Sequence, residues 1–361
     1  MMREIRNSAG KSVARSVAVI VDPRQAVFLV LILLLATIFF LNPGFAEPSQ
    51  FIRFVQRVAP IAILTMGQFF VLVSGEFDLS VGALIAVQVV VAGNLIGQDE
   101  SKSIPVLILM FFIGLVVGLV NGLVSSLLRV PSFVVTLGMM LVLLGGVYFV
   151  TGGSASGNPA DGFRSIGRGG IEGFPIFGLM PWAVIVLIVC TLLASYVSTR
   201  PFGKTLIAIG DNPETQFYSG ARVWWTKTQA FMISSTSATV AGILLVGYAG
   251  VHPSVGRGYE FIAITAAVLG GVVLGGGRGW VLGALAGAFT LEALFTVLNF
   301  ADVPSTWRDS VQGIIIIAAV AYSAVSRNGI RRKGTNSASP EIGEGASASG
   351  RSAQNTSPSH D

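Results

Sequence analysis

Long apolar runs separated by short polar breaks dominate the chain. They fall near residues 26–41, 54–73, 79–97, 105–128, 133–150, 176–198, 227–249, 259–275, 280–300 and 308–325. Each approaches the ~20 residues that carry a helix across a ~30 Å hydrocarbon core. Ten runs predict an all-α integral membrane protein of about ten transmembrane helices. Within them, small residues recur at helical spacing: Gly114, Gly118 and Gly122, then Gly283 and Gly287. Such stripes let helix backbones approach closely in lipid, either as plain packing or as a sliding interface. "DLSVGALIAV" and "GRGWVLGALAGAF" share a faint pattern, too weak to establish a repeat.

The polar breaks are where chemistry would sit. "VSGEFDLSVG" (73–82) places Glu76 and Asp78 between two apolar runs, and charge inside a bilayer is costly and usually functional. One reading makes Asp78 the N-cap of the helix that begins at "LSVGAL", where its carboxylate satisfies free N–H groups. The other lets the break enter the membrane, with Asp78 and Ser80 facing a gate. The one acid well centred in a run is Glu292, which forms an i, i+4, i+7 stripe with Thr296 and Asn299. That stripe suits an ion or substrate site equally with a carboxyl bonded to a neighbouring helix.

Composition agrees with the pattern. Of 361 residues 52% are hydrophobic and 11% charged, whereas soluble domains carry roughly 25% charged residues. With Cys190 as the single cysteine, no intrachain disulfide is possible. The net charge of +5 is better explained by topology than by nucleic acid: with a cytoplasmic N-terminus, inside segments hold 16 of the 23 Lys and Arg. The expected organisation is a basic cytoplasmic segment (1–25), not a cleaved signal peptide, then a transmembrane domain (26–325). A polar, disordered tail (326–361) follows, and both termini are cytoplasmic.

A transporter needs an engine, and none is legible here. "GKS" (10–12) and "GKT" (203–205) lack the earlier glycine of a phosphate-binding loop, since Ile5 and Ser198 stand there. No ATP hydrolysis is expected of this chain, and no cofactor or metal: His252 and His360 are far apart in sequence. The long inside segment 200–227 is more informative. In it "NPETQFYSGA" reads as a short helix with Asn212 at the N-cap, Pro213 at N1, Glu214 in the first turn and Gly220 past the end.

Eight segments in order resemble the membrane (permease) subunits of bacterial ABC sugar importers of the ribose-transporter type. They are "SGEFDLSVGA" (74–83), "GLVNGLV" (118–124), "VPSFVVTLGMM" (130–140), "TGG" (151–153), "IAIGDNPETQFYSGARV" (207–223), "GYEFIAITAAVLGG" (258–271), "LGGGRGWVLGALAGA" (274–288) and "WRDSVQGIIIIAAVA" (307–321). The resemblance implies a multi-pass protein of the bacterial plasma (inner) membrane with the ABC importer permease fold. Its partners would be a second permease subunit, normally another copy, an ABC ATPase subunit that binds ATP and Mg, and an extracytoplasmic binding protein. It also implies that 200–227 holds the helix that couples to the ATPase, with Gly210, Asn212, Glu214, Ser219 and Gly220 as its motif residues. The solute expected is a monosaccharide, and Asp78, Ser80, Asn121, Ser132, Thr136, Glu292, Thr296 and Asn299 are the candidates for pathway or gate. Thr215 and Gln216 depart from the family's usual Ala-Ala pair, Ala221 from its Ile, and Glu292 from a small residue. The residue reading keeps one rival, a gradient-driven secondary transporter with Glu292 as its ion or proton site.

Overall fold

The structure is a computed structural model, and it describes residues 23–154, 157–304, 306, 307, 309–315, 317 and 318. The basic segment up to residue 22, the polar tail and half of the tenth apolar run lie outside the described residues, although 309–315 are helical. The other nine runs fall in helices: α1 (Pro23–Leu41), α2 (Pro48–Val73), α3 (Val81–Ile96), α4 (Ser103–Ser126) and α5 (Ser132–Thr151), then, after a short surface helix α6 (Asp161–Arg168), α7 (Trp182–Thr199). The segment 200–222 supplies α8 (Pro201–Asp211) and α9 (Pro213–Tyr218), followed by α10 (Val223–Ala249), α11 (Tyr259–Leu269) and α12 (Val281–Phe300). Six of these helices are long and apolar enough to cross a membrane, namely α2, α4, α5, α7, α10 and α12, while α3, α11 and the apolar stretch Ala26–Leu41 of α1 are shorter.

Two sequence expectations need correction. The protein is not purely α-helical, because β1 (Gly170–Phe174) and β2 (Gly178–Pro181) pair antiparallel, Glu172 opposite Leu179. Gly173 and Gly178 take positive φ at the turn, so the run expected from 176 becomes helical only after Pro181. The run 259–275 likewise ends early. Gly271, Gly275, Gly276 and Gly277 all adopt positive φ, which a helix does not accommodate, so α11 stops at Leu269.

Helices α2 and α10 form the centre, and α5 and α7 the periphery: 83% and 72% of the apolar stretches of the first pair are buried against 11% and 17% for the second. The two central helices carry polar groups that a lipid-facing helix would expose at cost, including Thr65 and Gln68 on α2 and Thr228, Ser234, Ser235 and Thr239 on α10. The α4 glycine stripe packs against α10. A Cβ on Gly118 would lie 2.7 Å from Met232 Cα, and one on Gly122 2.6 Å from Thr228 Cα. Gly283 and Gly287 do the same work on α12, facing the backbone of Gly270 and Ala266 in and after α11. Both stripes are packing surfaces.

The connections sort to two ends. At one end Gly277 N–H donates to Val73 O (2.9 Å), Gly210 packs between these two residues, and Glu76 pairs with Lys227. The segments 74–77, 200–222 and 275–279 therefore share that end. At the other, Gly162 N–H donates to Glu100 (3.1 Å), Gln98 to Asn158 O (3.1 Å) and Gln56 to Gly167 O (2.9 Å).

Candidate functional site

The break between α2 and α3 climbs from the first end into the bundle. Glu76 pairs with Lys227 while Asp78 bonds Ser234, and those partners are seven residues apart on α10, about 10 Å along its axis. Asp78, Leu79 and Ser80 are buried. Ser80, not Asp78, stands at the N-cap of α3, and its side chain caps nothing. Asp78 lies two residues earlier, and its Oδ1 accepts from both Ser80 N (3.0 Å) and Ser80 Oγ (2.6 Å). The expected N-cap is thus replaced by a turn that folds the carboxyl inward, toward α2 and α10.

Five of the eight pathway candidates gather at this break. Asn121 of α4 donates to Ser80 Oγ (2.9 Å), extending the network that starts at Asp78. Ser132 and Thr136, at the start of α5, hold the peptide groups of Phe77: its N–H donates to Ser132 Oγ (3.1 Å), and Thr136 Oγ1 approaches its carbonyl (3.4 Å). All five are buried in this structure, where their hydrogen bonds fasten the break. Glu292, Thr296 and Asn299 do not join them. They lie along α12, the first two half-buried and Asn299 exposed, with Thr296 Oγ1 donating to Glu292 O (2.8 Å) and Glu292 close enough to Tyr259 to act on it electrostatically.

Sequence reasoning missed several members. Gln68 donates to Asp78 O (3.1 Å), and Ser234 lies within 3.0 Å of Asp78 Oδ2 and 3.2 Å of Gln68 Oε1. A second buried amide, Gln88 of α3, donates to Met110 O (2.9 Å) and Thr239 Oγ1 (2.8 Å). Glu260, in the first turn of α11, is buried against Gly82 at the start of α3, so the positive ends of two helices meet beside a carboxyl. The one signal available in the sequence was the run "SSTS" (234–237) in an otherwise apolar stretch, together with single glutamines at 68 and 88.

The 200–222 segment is built as its residues predict. Asn212 Oδ1 accepts from Thr215 N–H (3.0 Å) and caps α9, with Pro213 at N1 and Glu214 in the first turn. At the far end Gly220 takes φ +86°, Ala221 N–H donates to Gln216 O (3.0 Å) and Gly220 N–H to Phe217 O (3.0 Å), closing the helix with a paired glycine cap. Ser219 Oγ adds a bond to Thr215 O (2.8 Å). Nearly every residue of this stretch is exposed, and Phe217 and Tyr218 present 65% and 85% of their surface. Gly210 is different from its neighbours, for it is buried, and a Cβ there would overlap Val73 O and lie 2.5 Å from Gly277 N. The exposed helix α9 is therefore one helix away from the last residue of α2, where the 74–80 break begins, and from the 270–279 break.

The far end carries a cleft of about 700 Å³ lined by Glu47, Gln50, Arg53, Arg57 and Arg168 among others. Among the described residues no group of three or more His, Cys, Asp or Glu stands close enough to hold a metal ion.

Comparison with known proteins places the chain in a family. A ribose import permease of Bacillus subtilis (strain 168) is 33% identical over 305 residues, covering 81% of this chain and 90% of the relative. A ribose import permease of Haemophilus influenzae is 28% identical over 302 residues (82% and 91%). The permease of an autoinducer 2 import system from Escherichia coli O9:H4 (strain HS) is 29% identical over 308 residues (83% and 88%). No solved structure matches. The family of branched-chain amino acid transport system permease components matches residues 50–320, and the chain belongs to it, as a multi-pass inner-membrane permease.

Proposed function

We propose that this permease forms the translocation pathway of an ATP-driven importer for a monosaccharide or a closely similar polyhydroxylated solute. The observation that carries the reading is α9, a capped, exposed helix with two unburied aromatic rings, set one helix away from the breaks. A helix of six residues has no stability of its own, so its double capping supports the reading of a shape held for contact. The expected contact is a groove on an ATPase subunit that binds ATP and Mg, with Phe217 and Tyr218 as anchors. Motion of α9 would pass through α8 to Gly210, and from there to Val73 and Gly277. In this account α9 is cytoplasmic, the chain crosses the membrane ten times, both termini lie inside, and two copies pair to form the pathway. The relatives' names supply the solute class, and the neutral hydroxyl and amide groups near the 74–80 break suit hydroxyl partners better than charged ones.

The opposite end would then face the binding protein. Arg53, Arg57 and Arg168 are three of the seven Lys and Arg expected outside, and all three line one cleft. A cationic cleft there suits an acidic face on the protein that delivers the solute. The test is uptake of labelled pentoses and hexoses by cells with and without this permease. Uptake should persist when a protonophore collapses the proton gradient while ATP is maintained. Uptake that stops with the gradient, at constant ATP, would move the account to the gradient-driven reading.

A further inference from the structure

The Asp78 network holds one hydrogen too few for an ionised carboxylate, and counting its donors shows where the missing one belongs. Gln68, Asp78, Ser80, Asn121 and Ser234 are each fully buried. The Gln68 amide cannot be turned around, because its Nε2 is the donor to Asp78 O (3.1 Å) and a flip would set two oxygens together. Gln68 Oε1 therefore faces Ser234 Oγ at 3.2 Å. Ser234 has one hydroxyl hydrogen, yet a second acceptor, Asp78 Oδ2, stands 3.0 Å away. On the other side Ser80 Oγ already accepts from Asn121, so its hydrogen goes to Asp78 Oδ1. An ionised Asp78 would leave either its own Oδ2 or Gln68 Oε1 without a donor, in a site closed to water.

Charge counts the same way. Among the described residues no Lys, Arg or His pairs with Asp78, and the nearest ion pair, Glu76 with Lys227, satisfies itself. Among the described residues the only other buried acid is Glu260, beside the start of α3, whose carboxyl would add repulsion and not relief. A buried carboxylate held by neutral groups alone is costly.

We propose that Asp78 is held as a neutral carboxylic acid and serves as a hydrogen-bond donor to Ser234. The chain then runs Asp78 Oδ2–H to Ser234 Oγ, Ser234 Oγ–H to Gln68 Oε1, and Gln68 Nε2–H back to Asp78 O. That closed ring ties α2, the break and α10 together, and it gives both Asp78 Oδ2 and Gln68 Oε1 a hydrogen-bond partner. Asp78 is a positioning residue: it fixes the break against α10 without needing a counter-ion. The inference rests on these distances and stands independently of the transported solute.

The test is infrared spectroscopy of the purified full-length protein in detergent at neutral pH, with aspartate carboxyls labelled by ¹³C to identify them. The expected result is an isotope-sensitive neutral-acid carbonyl band, lost in Asp78→Asn and moved to higher frequency in Ser234→Ala, where the acceptor is gone. Asp78→Asn should keep near wild-type folded yield, since its amide donates to Ser234 and its oxygen still accepts from Ser80. Asp78→Ala should lower folded yield by about tenfold or more. Should Asp78→Asn not fold, the labelled wild type and Ser234→Ala still decide the matter. Aspartates that are all ionised at neutral pH, or a neutral-acid band that Ser234→Ala leaves unmoved, would overturn the proposal.

Discussion

Replacing Gly118 by Ala adds one methyl group at the closest approach of α4 and α10. That methyl would lie 2.7 Å from both Met232 Cα and Phe231 O, which are backbone atoms and cannot rotate away. Restoring ordinary contact near 3.5 Å requires the helices to part by about 0.8 Å, and a gap of that size forfeits a quarter to a half of each neighbouring contact's dispersion energy. Overpacking of this kind costs about 1–3 kcal/mol, while Ala gains about 1 kcal/mol over Gly in a helix interior. Gly118→Ala should therefore be destabilising by up to about 2 kcal/mol, and Gly122→Ala, facing Thr228 Cα at 2.6 Å, by at least as much. Gly114→Ala should cost less, because the nearest backbone atom there, Ser235 O, lies 3.3 Å away and the closer Thr239 Oγ1 is on a side chain. Gly138 on α5 has nothing within 4 Å of its Cβ position, so Gly138→Ala is the matched control and should be neutral or slightly stabilising. Monodisperse protein remaining after heating in mild detergent, read by size-exclusion chromatography, ranks the four. A Gly118→Ala protein as heat-resistant as wild type would refute the packing argument.

Three further outcomes follow from the same geometry. Asn212→Ala removes the bond to Thr215 N–H and should weaken α9 by about 1 kcal/mol, while Phe217→Ala leaves the fold intact; both should reduce ATPase co-capture without lowering permease abundance. Gly210→Ala places a methyl against Val73 O and Gly277 N, so it should abolish assembly of the permease, measured as mature protein in the membrane. Exchanging the half-buried pair by Glu76→Lys with Lys227→Glu should restore part of the folded yield that either single change loses, each single costing about 1–3 kcal/mol, between the values for exposed and buried pairs. Equal losses in the double variant and the two singles would show that the pair contributes nothing specific.

What was legible in the sequence follows physical range. Helices in lipid must satisfy their own backbone, so nine apolar runs read directly as helices, and the α9 caps depend on residues within nine positions of one another. Asp78 illustrates the opposite case. Its spacing before α3 suits an N-cap, but the decisive partners, Gln68 and Ser234, lie ten residues before it and 156 after it. A hydropathy pattern gives which residues are apolar, not which helix stands opposite a given polar one. Ser132 and Thr136 were legible as candidates, yet their grip on Phe77 depends on where α5 begins in space. Glu292 drew attention by standing alone in an apolar run, and the structure sets it on α12, apart from the residues that gather at the break. Gly210 read as part of a docking motif, whereas its burial makes it the contact through which that motif reaches the breaks.

The central claim is that this permease is driven through α9 by a separate ATPase. Gentle capture of the tagged protein from its native membrane, with mass spectrometry of what accompanies it, tests that most directly. The account predicts an ATPase subunit that is retained by the wild type and lost when Asn212, Phe217 and Tyr218 are replaced together, at unchanged permease abundance. Stable recovery of the permease with no ATPase under several mild conditions, or retention unaffected by those replacements, would contradict it.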